Sequence, residues 1–222
     1  MGRGSSKAGG GGKTMSMLTL PSGETIDLTE SPLTYGEKDS MVSGKVRDVL
    51  ESFENNRHLA KVEYNRLIDS EGNIIEENKG GKGSVGASNR ARLAADIVTH
   101  NHPGDPEGLG GTFSDKDLSN MVEFGQTTYR ATAKEGTYSI SKGKGFQGDN
   151  LVKAYKVQQA KTFDAAQKAH DSLHNDYAWS KISYTEYQSG VWKINNKMLV
   201  EDHNWLLANQ KTYGYTYTLE GR

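Results

Sequence analysis

The chain has 222 residues, with 27 basic and 28 acidic side chains, a formal net charge of −1, 34% hydrophobic residues and no cysteine. That balance argues against a dominant nucleic-acid footprint, and the missing cysteines exclude a disulfide scaffold. No apolar run reaches membrane-spanning length, so a soluble, cytoplasmic protein with one well-buried domain and an appendage is expected.

Residues 1–16 are glycine-rich, carry Arg3, Lys7 and Lys13 without an acid, and lack the apolar stretch of a signal peptide, which reads as a flexible tail. Met17–Leu20 and Glu24–Leu28 flank Pro21-Ser22-Gly23 as a small hairpin. Met41, Val46, Val49, Leu50 and Phe53 recur at helical spacing within Glu37–Glu54. Lys61–Ile68 and Asn73–Glu76 are predicted strands; in the first, Glu63 and Leu67 share one face while Val62, Tyr64 and Ile68 share the other. A short helix over Asn89–Ala95 precedes a strand, Ile97–His100, and Ser114–Phe124 is a second short helix. Tyr129–Lys134 and Thr137–Ser141 form a hairpin about Glu135-Gly136. Strands alternating with helices over residues 59–143 predict an α/β sandwich. Beyond Gly148 the composition turns helical, over Asn150–Tyr177 and Val191–Asn209, before an aromatic strand at Tyr213–Leu219.

The chemistry concentrates at Thr99-His100-Asn101-His102-Pro103 and Phe113-Ser114-Asp115-Lys116-Asp117. Side chains two apart on a strand point the same way, so His100 and His102 can converge on one ion. Pro103 turns the chain away, and Asp117, one turn into the next helix, can supply a third ligand. Two imidazoles, one carboxylate and room for water make an open zinc site. Ser114-x-x-Asp117 also reads as a helix-capping pair, and both roles can hold together.

His-x-His-Pro, a spacer, then Ser-x-x-Asp resembles the signature of the JAMM (MPN+) zinc metalloproteases, and His100 to Pro106 looks most like the RadC-type and phage-associated bacterial branch. The resemblance implies a JAMM-like (cytidine-deaminase-like) mixed sheet flanked by helices over residues 17–145, followed by a mainly helical C-terminal extension over 146–222. It implies zinc on His100, His102 and Asp117, with Glu63 as general base and Ser114 helping to stabilise the oxyanion. The implied reaction is hydrolysis of a peptide bond or a ubiquitin-like isopeptide bond. The spacer from Pro103 to Phe113 is longer than common in that family; the extra length lies in Glu107–Gly111, where glycines allow a bulge beside the metal.

Alternatives stand beside this reading. The segment after Gly148 is similar to tails of phage head-morphogenesis and virion-associated proteins, which suggests an assembly component, virion-associated and binding phage structural proteins, that uses the fold for docking. A RadC-like protein acting on DNA is a third reading, against which the charge balance counts. His170-Asp171-Ser172-Leu173-His174 mimics a zincin helix, with Glu186 or His203 as nominal third ligands, although a solvated face explains it more simply. Lys142–Gly145 and Lys153–Lys161 could touch phosphate but read better as solvated surface. Trp179, Trp192 and Trp205 are expected in a small C-terminal core or on a partner surface.

Overall fold

The computed structural model describes residues 16–29, 32–104 and 108–222. The expected tail over 1–16 lies outside these except for Ser16, whose carbonyl accepts from the Leu28 amide at 2.7 Å. Among the described residues the order is β1 (Met17–Thr19), β2 (Thr25–Asp27), α1 (Gly44–Arg57), β3 (Tyr64–Ile68), β4 (Ile74–Lys79), α2 (Asn89–Ala94) and β5 (Ile97–Asn101). Then come α3 (Asp115–Glu123), β6 (Thr128–Ala133), β7 (Gly136–Lys142), α4 (Gly148–Ala178), α5 (Tyr184–Tyr213) and β8 (Tyr215–Glu220). No helix among them is long and apolar enough to cross a membrane.

The fold is α/β. Six strands form one mixed sheet in the order β4-β3-β5-β6-β7-β8, antiparallel throughout except for the parallel pair β5 and β6. A parallel pair needs a crossover, and the loop after β5 together with α3 provides it. All five residues of β5 are buried, as a strand covered on both faces must be. On one face Leu67, Val98, Ala131 and Ile140 join Leu118 of α3, Leu151 of α4 and Leu206 of α5. On the other, Ile68 and Ile97 pack against Val42 and Leu50.

α1 begins at Gly44, later than the periodicity suggests. The preceding segment is pulled onto the sheet: Asp39 accepts from the Ser139 and Ser141 hydroxyls, each at 2.7 Å, and Gly36 bridges to Glu220. Met41, placed on the helix's apolar stripe, is 62% exposed and outside the helix. α5 begins earlier than expected, because Ser183 and Glu186 form a capping box. Gly190 does not break it: a Cβ there would meet Leu173 Cδ2 of α4 at 2.7 Å, so the glycine is where the two long helices touch.

The aromatic terminal strand completes the chain's own sheet. β8 pairs with β7, and its Tyr215, Tyr217 and Leu219 belong to the main core. Tyr215 Oη donates to the Leu206 carbonyl at 2.7 Å. Trp205 packs against Tyr155 and Tyr213, whereas Trp179 at the turn between α4 and α5 is 77% exposed.

Candidate metal centre

His100 is the fourth residue of β5 and faces the main core beside Tyr129 of β6, their ring centroids 5.4 Å apart. His102 extends the pairing by one bond, its amide donating to the Thr132 carbonyl at 2.9 Å, before Pro103 ends it. Both side chains therefore emerge at the carboxyl end of a central parallel strand, where open α/β sheets place ligands. Ser114 caps α3 and Asp117 lies in its first turn, which returns the carboxylate to the same point.

The three donors converge. His100 Nε2 and His102 Nε2 are 2.8 Å apart, and the Asp117 oxygens lie 3.6 Å from the first and 3.9 Å from the second. Among the described residues these three form the group of His and carboxylate donors that can hold a metal ion. The Gly111 carbonyl, 3.0 Å from His102 Nδ1, can only accept, so His102 carries its proton on Nδ1 and presents a bare Nε2. In the short contact His100 must then donate from Nε2, leaving a buried Nδ1 without a hydrogen-bond partner. With the His100 proton moved to Nδ1, both Nε2 lone pairs would face one ion, so the donor set fits a metal.

Electrostatics favour the same outcome. Burial is the largest influence on His100 and lowers its pKa to about 4; His102 lowers it further, while Asp117 and the Arg130 backbone partly oppose this. The ring is thus neutral near pH 7, the form that binds metal. Burial works against the Asp117 charge, but His100, His102 and the hydrogen bonds from Ser114 outweigh it and hold the carboxyl below its usual range. The Ser114 hydroxyl donates to Asp117 Oδ2 at 2.7 Å and accepts from the Asp117 amide at 3.2 Å, a capping box that also orients the carboxylate.

Glu63 immediately precedes β3 and lines the same cavity of about 350 Å3 as His100, His102, Ser114 and Asp117. It is half-buried, and that burial raises its pKa; His102 and the Val85 amide pull it down, and Asp117 pushes it up. Its backbone is held on both sides. The Glu63 amide donates to Gly81 at 2.7 Å and its carbonyl accepts from Gly80 at 2.8 Å. Fully buried Asn101 accepts from the Tyr64 amide at 2.7 Å and donates to the Val62 carbonyl at 3.1 Å.

Sequence reasoning missed Asn101, which read as a spacer between histidines, although an amide with a donor and an acceptor at a buried strand end was a usable signal. It also missed Glu135, read only as a hairpin turn. Glu135 accepts from the amides of Gly110 and Gly111, at 3.1 and 2.9 Å, and from Tyr138 Oη at 2.8 Å. Asn196 of α5 takes the Leu109 amide at 3.0 Å. The glycine-rich spacer is thereby tied down where it supports His102. Gly111 has φ +82°, and a Cβ would meet Leu199 Cδ2 at 2.6 Å. Asp105 to Glu107 of that spacer lie outside the described residues.

The rival histidines do not join a donor group. His170 Nε2 meets Asn195 Oδ1 at 2.9 Å, His174 is exposed beside Tyr187, and Glu186 caps α5. His203 is buried between Tyr217 Oη at 2.8 Å and the Thr34 carbonyl at 3.1 Å. Lys142, nominated for phosphate, lies over the Phe146 ring with Nζ 5.5 Å from its centroid. No protein-family model, curated protein or solved structure matches the chain.

Proposed function

We propose that this protein is a zinc-dependent hydrolase of peptide or isopeptide bonds, of the JAMM type. The observation that carries the reading is the convergence of His100 Nε2, His102 Nε2 and the Asp117 carboxylate in a cavity that Glu63 also lines. His₂-carboxylate is a donor set of catalytic zinc, which leaves a position open. When bound, zinc would supply Lewis acidity to water and to the scissile carbonyl.

The protein's own groups supply the rest. Half-buried Glu63, its pKa raised, is suited to take a proton from the attacking water and return it to the leaving amine. The Ser114 hydroxyl is committed to Asp117, so it serves first to orient that carboxylate; donating to an oxyanion requires it to rotate away. Lys116, which also lines the cavity, adds a positive charge at its rim.

The test is zinc content per chain by elemental analysis together with peptide hydrolysis. Wild type is expected to hold one zinc, His102→Ala and Asp117→Asn to lose it, and His174→Ala to keep it. Glu63→Gln should keep zinc and lose hydrolysis. Wild type that takes up no zinc on reloading, or Glu63→Gln that cleaves as well as wild type, defeats this reading.

A second reading, a particle-assembly component using this fold as a docking module, draws on the tip of the α4–α5 hairpin. There Trp179 and Tyr184 are 77% and 57% exposed, and Tyr177 stacks on Tyr187 at 4.9 Å. Zinc-loaded protein that cleaves nothing yet enters particles would favour it.

A further inference from the structure

The cavity that holds the three donors runs on past them, between α2 and α3, over Leu67, Val98 and Tyr129. From Asp117 to Asn120 along α3 is three residues, about 4.5 Å of rise. From His100 back to Val98 along β5 is roughly 7 Å. The inner end therefore lies about one amino-acid residue away from the donors.

That inner end is polar and incompletely satisfied. Arg92 of α2 and Gln126, just before β6, both line it. Arg92 Nη1 makes one long contact, 3.4 Å, to Asn120 Oδ1, and its guanidinium lies 5.2 Å from the centre of the Phe124 ring. It forms no ion pair among the described residues. Glu76 feels its charge, but that carboxylate is taken up by the Ser88 amide and hydroxyl, at 2.9 and 2.6 Å. Gln126 is 1% exposed; its Nε2 reaches the Arg92 carbonyl at 3.5 Å, and its Oε1 is buried with no partner. A buried acceptor left unmade is costly, and an arginine free of carboxylate beside it is a fork for an anion.

We infer that this inner end binds an amino-acid unit of the substrate through its carboxylate, with Arg92 taking the carboxylate and Gln126 Oε1 taking an N–H. The inference rests on the hydrolase reading and names the substrate class for it: a bond adjoining a residue that carries a free carboxylate. Gln126 and Tyr129, 1% and 7% exposed, are the buried part of the lining at that position. The carboxylate can come from a chain terminus or from an acidic side chain.

The experiment titrates the protein, after incubation with zinc, with N-acetylglycine, N-acetylglycinamide and the α-amide of N-acetylaspartate. Binding is followed by the NMR shifts of the Gln126 side-chain amide, in wild type and Arg92→Gln. N-acetylglycine binding about tenfold or more tighter than its amide, with the difference abolished in Arg92→Gln, supports the inference with a terminal carboxylate. The same preference for the aspartate probe supports it with a side-chain source. Equal binding of all three, binding unaffected by Arg92→Gln (as for a carboxylate sitting on the metal), or no binding of any probe overturns it. Zinc content measured on the same samples separates the two proposals. Protein that refuses zinc yet discriminates the probes defeats the hydrolase reading alone, and zinc-loaded protein that does not discriminate defeats this inference alone.

Discussion

Asn101 grips the backbone on both sides of Glu63, accepting from the Tyr64 amide and donating to the Val62 carbonyl. The residue between the two histidines thus sets the position of the carboxylate facing them. Replacing it with alanine leaves a buried donor and acceptor unpaired, a loss of about 1–3 kcal/mol. Zinc should stay on Asn101→Ala while hydrolysis falls on the order of 100-fold, because a small misplacement of a reacting group is that expensive. Hydrogen exchange across residues 62–64 should quicken whether or not a substrate is in hand. Unchanged exchange there would remove Asn101 from this role.

Glu135 acts on the site from the β6–β7 turn. By holding the Gly110 and Gly111 amides it aims the Gly111 carbonyl that fixes the His102 tautomer. Glu135→Ala should weaken zinc binding about 10–100-fold, the usual cost of losing support behind a ligand. Competition with a chromogenic chelator measures this, with His170→Ala as the control expected to match wild type. An affinity equal to wild type would mean that the loop holds its shape without the carboxylate.

Acid should destabilise the protein through the far face of the sheet. There Arg130, fully buried, pairs with Glu54 at 2.7 Å and Glu220 at 2.9 Å. Burial alone would raise the Glu220 pKa. The hydrogen bonds and charge of Arg130, the Asp39 amide and Arg47 outweigh it, so the folded value lies below the ordinary 4.5. A depressed carboxyl contributes stability that is fully present above its unfolded value and lost as pH falls through its folded value. Denaturant melts should therefore weaken as pH falls below about 6.5, where His100 and His203 are held neutral in the fold, and more steeply below about pH 4.5, and Glu220→Gln should reduce only that lower part of the slope. Glu220→Gln with an unaltered acid slope would contradict the assignment. Arg130→Met, which strands two buried carboxylates, should cost about 3–5 kcal/mol at pH 7.

Gly190 tests the packing of the two long helices. Gly190→Val drives a side chain into Leu173, and a loss of about 1–3 kcal/mol is expected from such overpacking. The paired variant Gly190→Val with Leu173→Ala should recover part of it. No recovery would mean that the two positions do not meet.

Local patterns carried a great deal here. The buried run Ile97 to His100, the Ser114-x-x-Asp117 cap and the Glu135-Gly136 hairpin each announce their element within a few residues, because hydrogen bonding and side-chain alternation are short-range. The two-residue spacing of His100 and His102, and the one turn from Ser114 to Asp117, likewise made the donor set legible, since strand and helix periods dictate which side chains share a face. The tertiary structure alone decided which distant segments meet. Asp39 bonds to Ser139 and Ser141 of β7 while Gly36 bridges to β8, which no helical periodicity can reveal. Gly190 faces Leu173 across a helix pair, so a residue that locally favours a break serves a contact instead. Asn101 meets Val62 and Tyr64 because β5 lies beside β3. Glu135 meets Gly111 because the β6–β7 turn comes up under the loop that follows β5. Arg92 and Gln126 reach one cleft for the same kind of reason. Such pairings depend on strand order and on the one parallel crossover, which arise from the burial of the whole sheet rather than from any window of neighbouring residues.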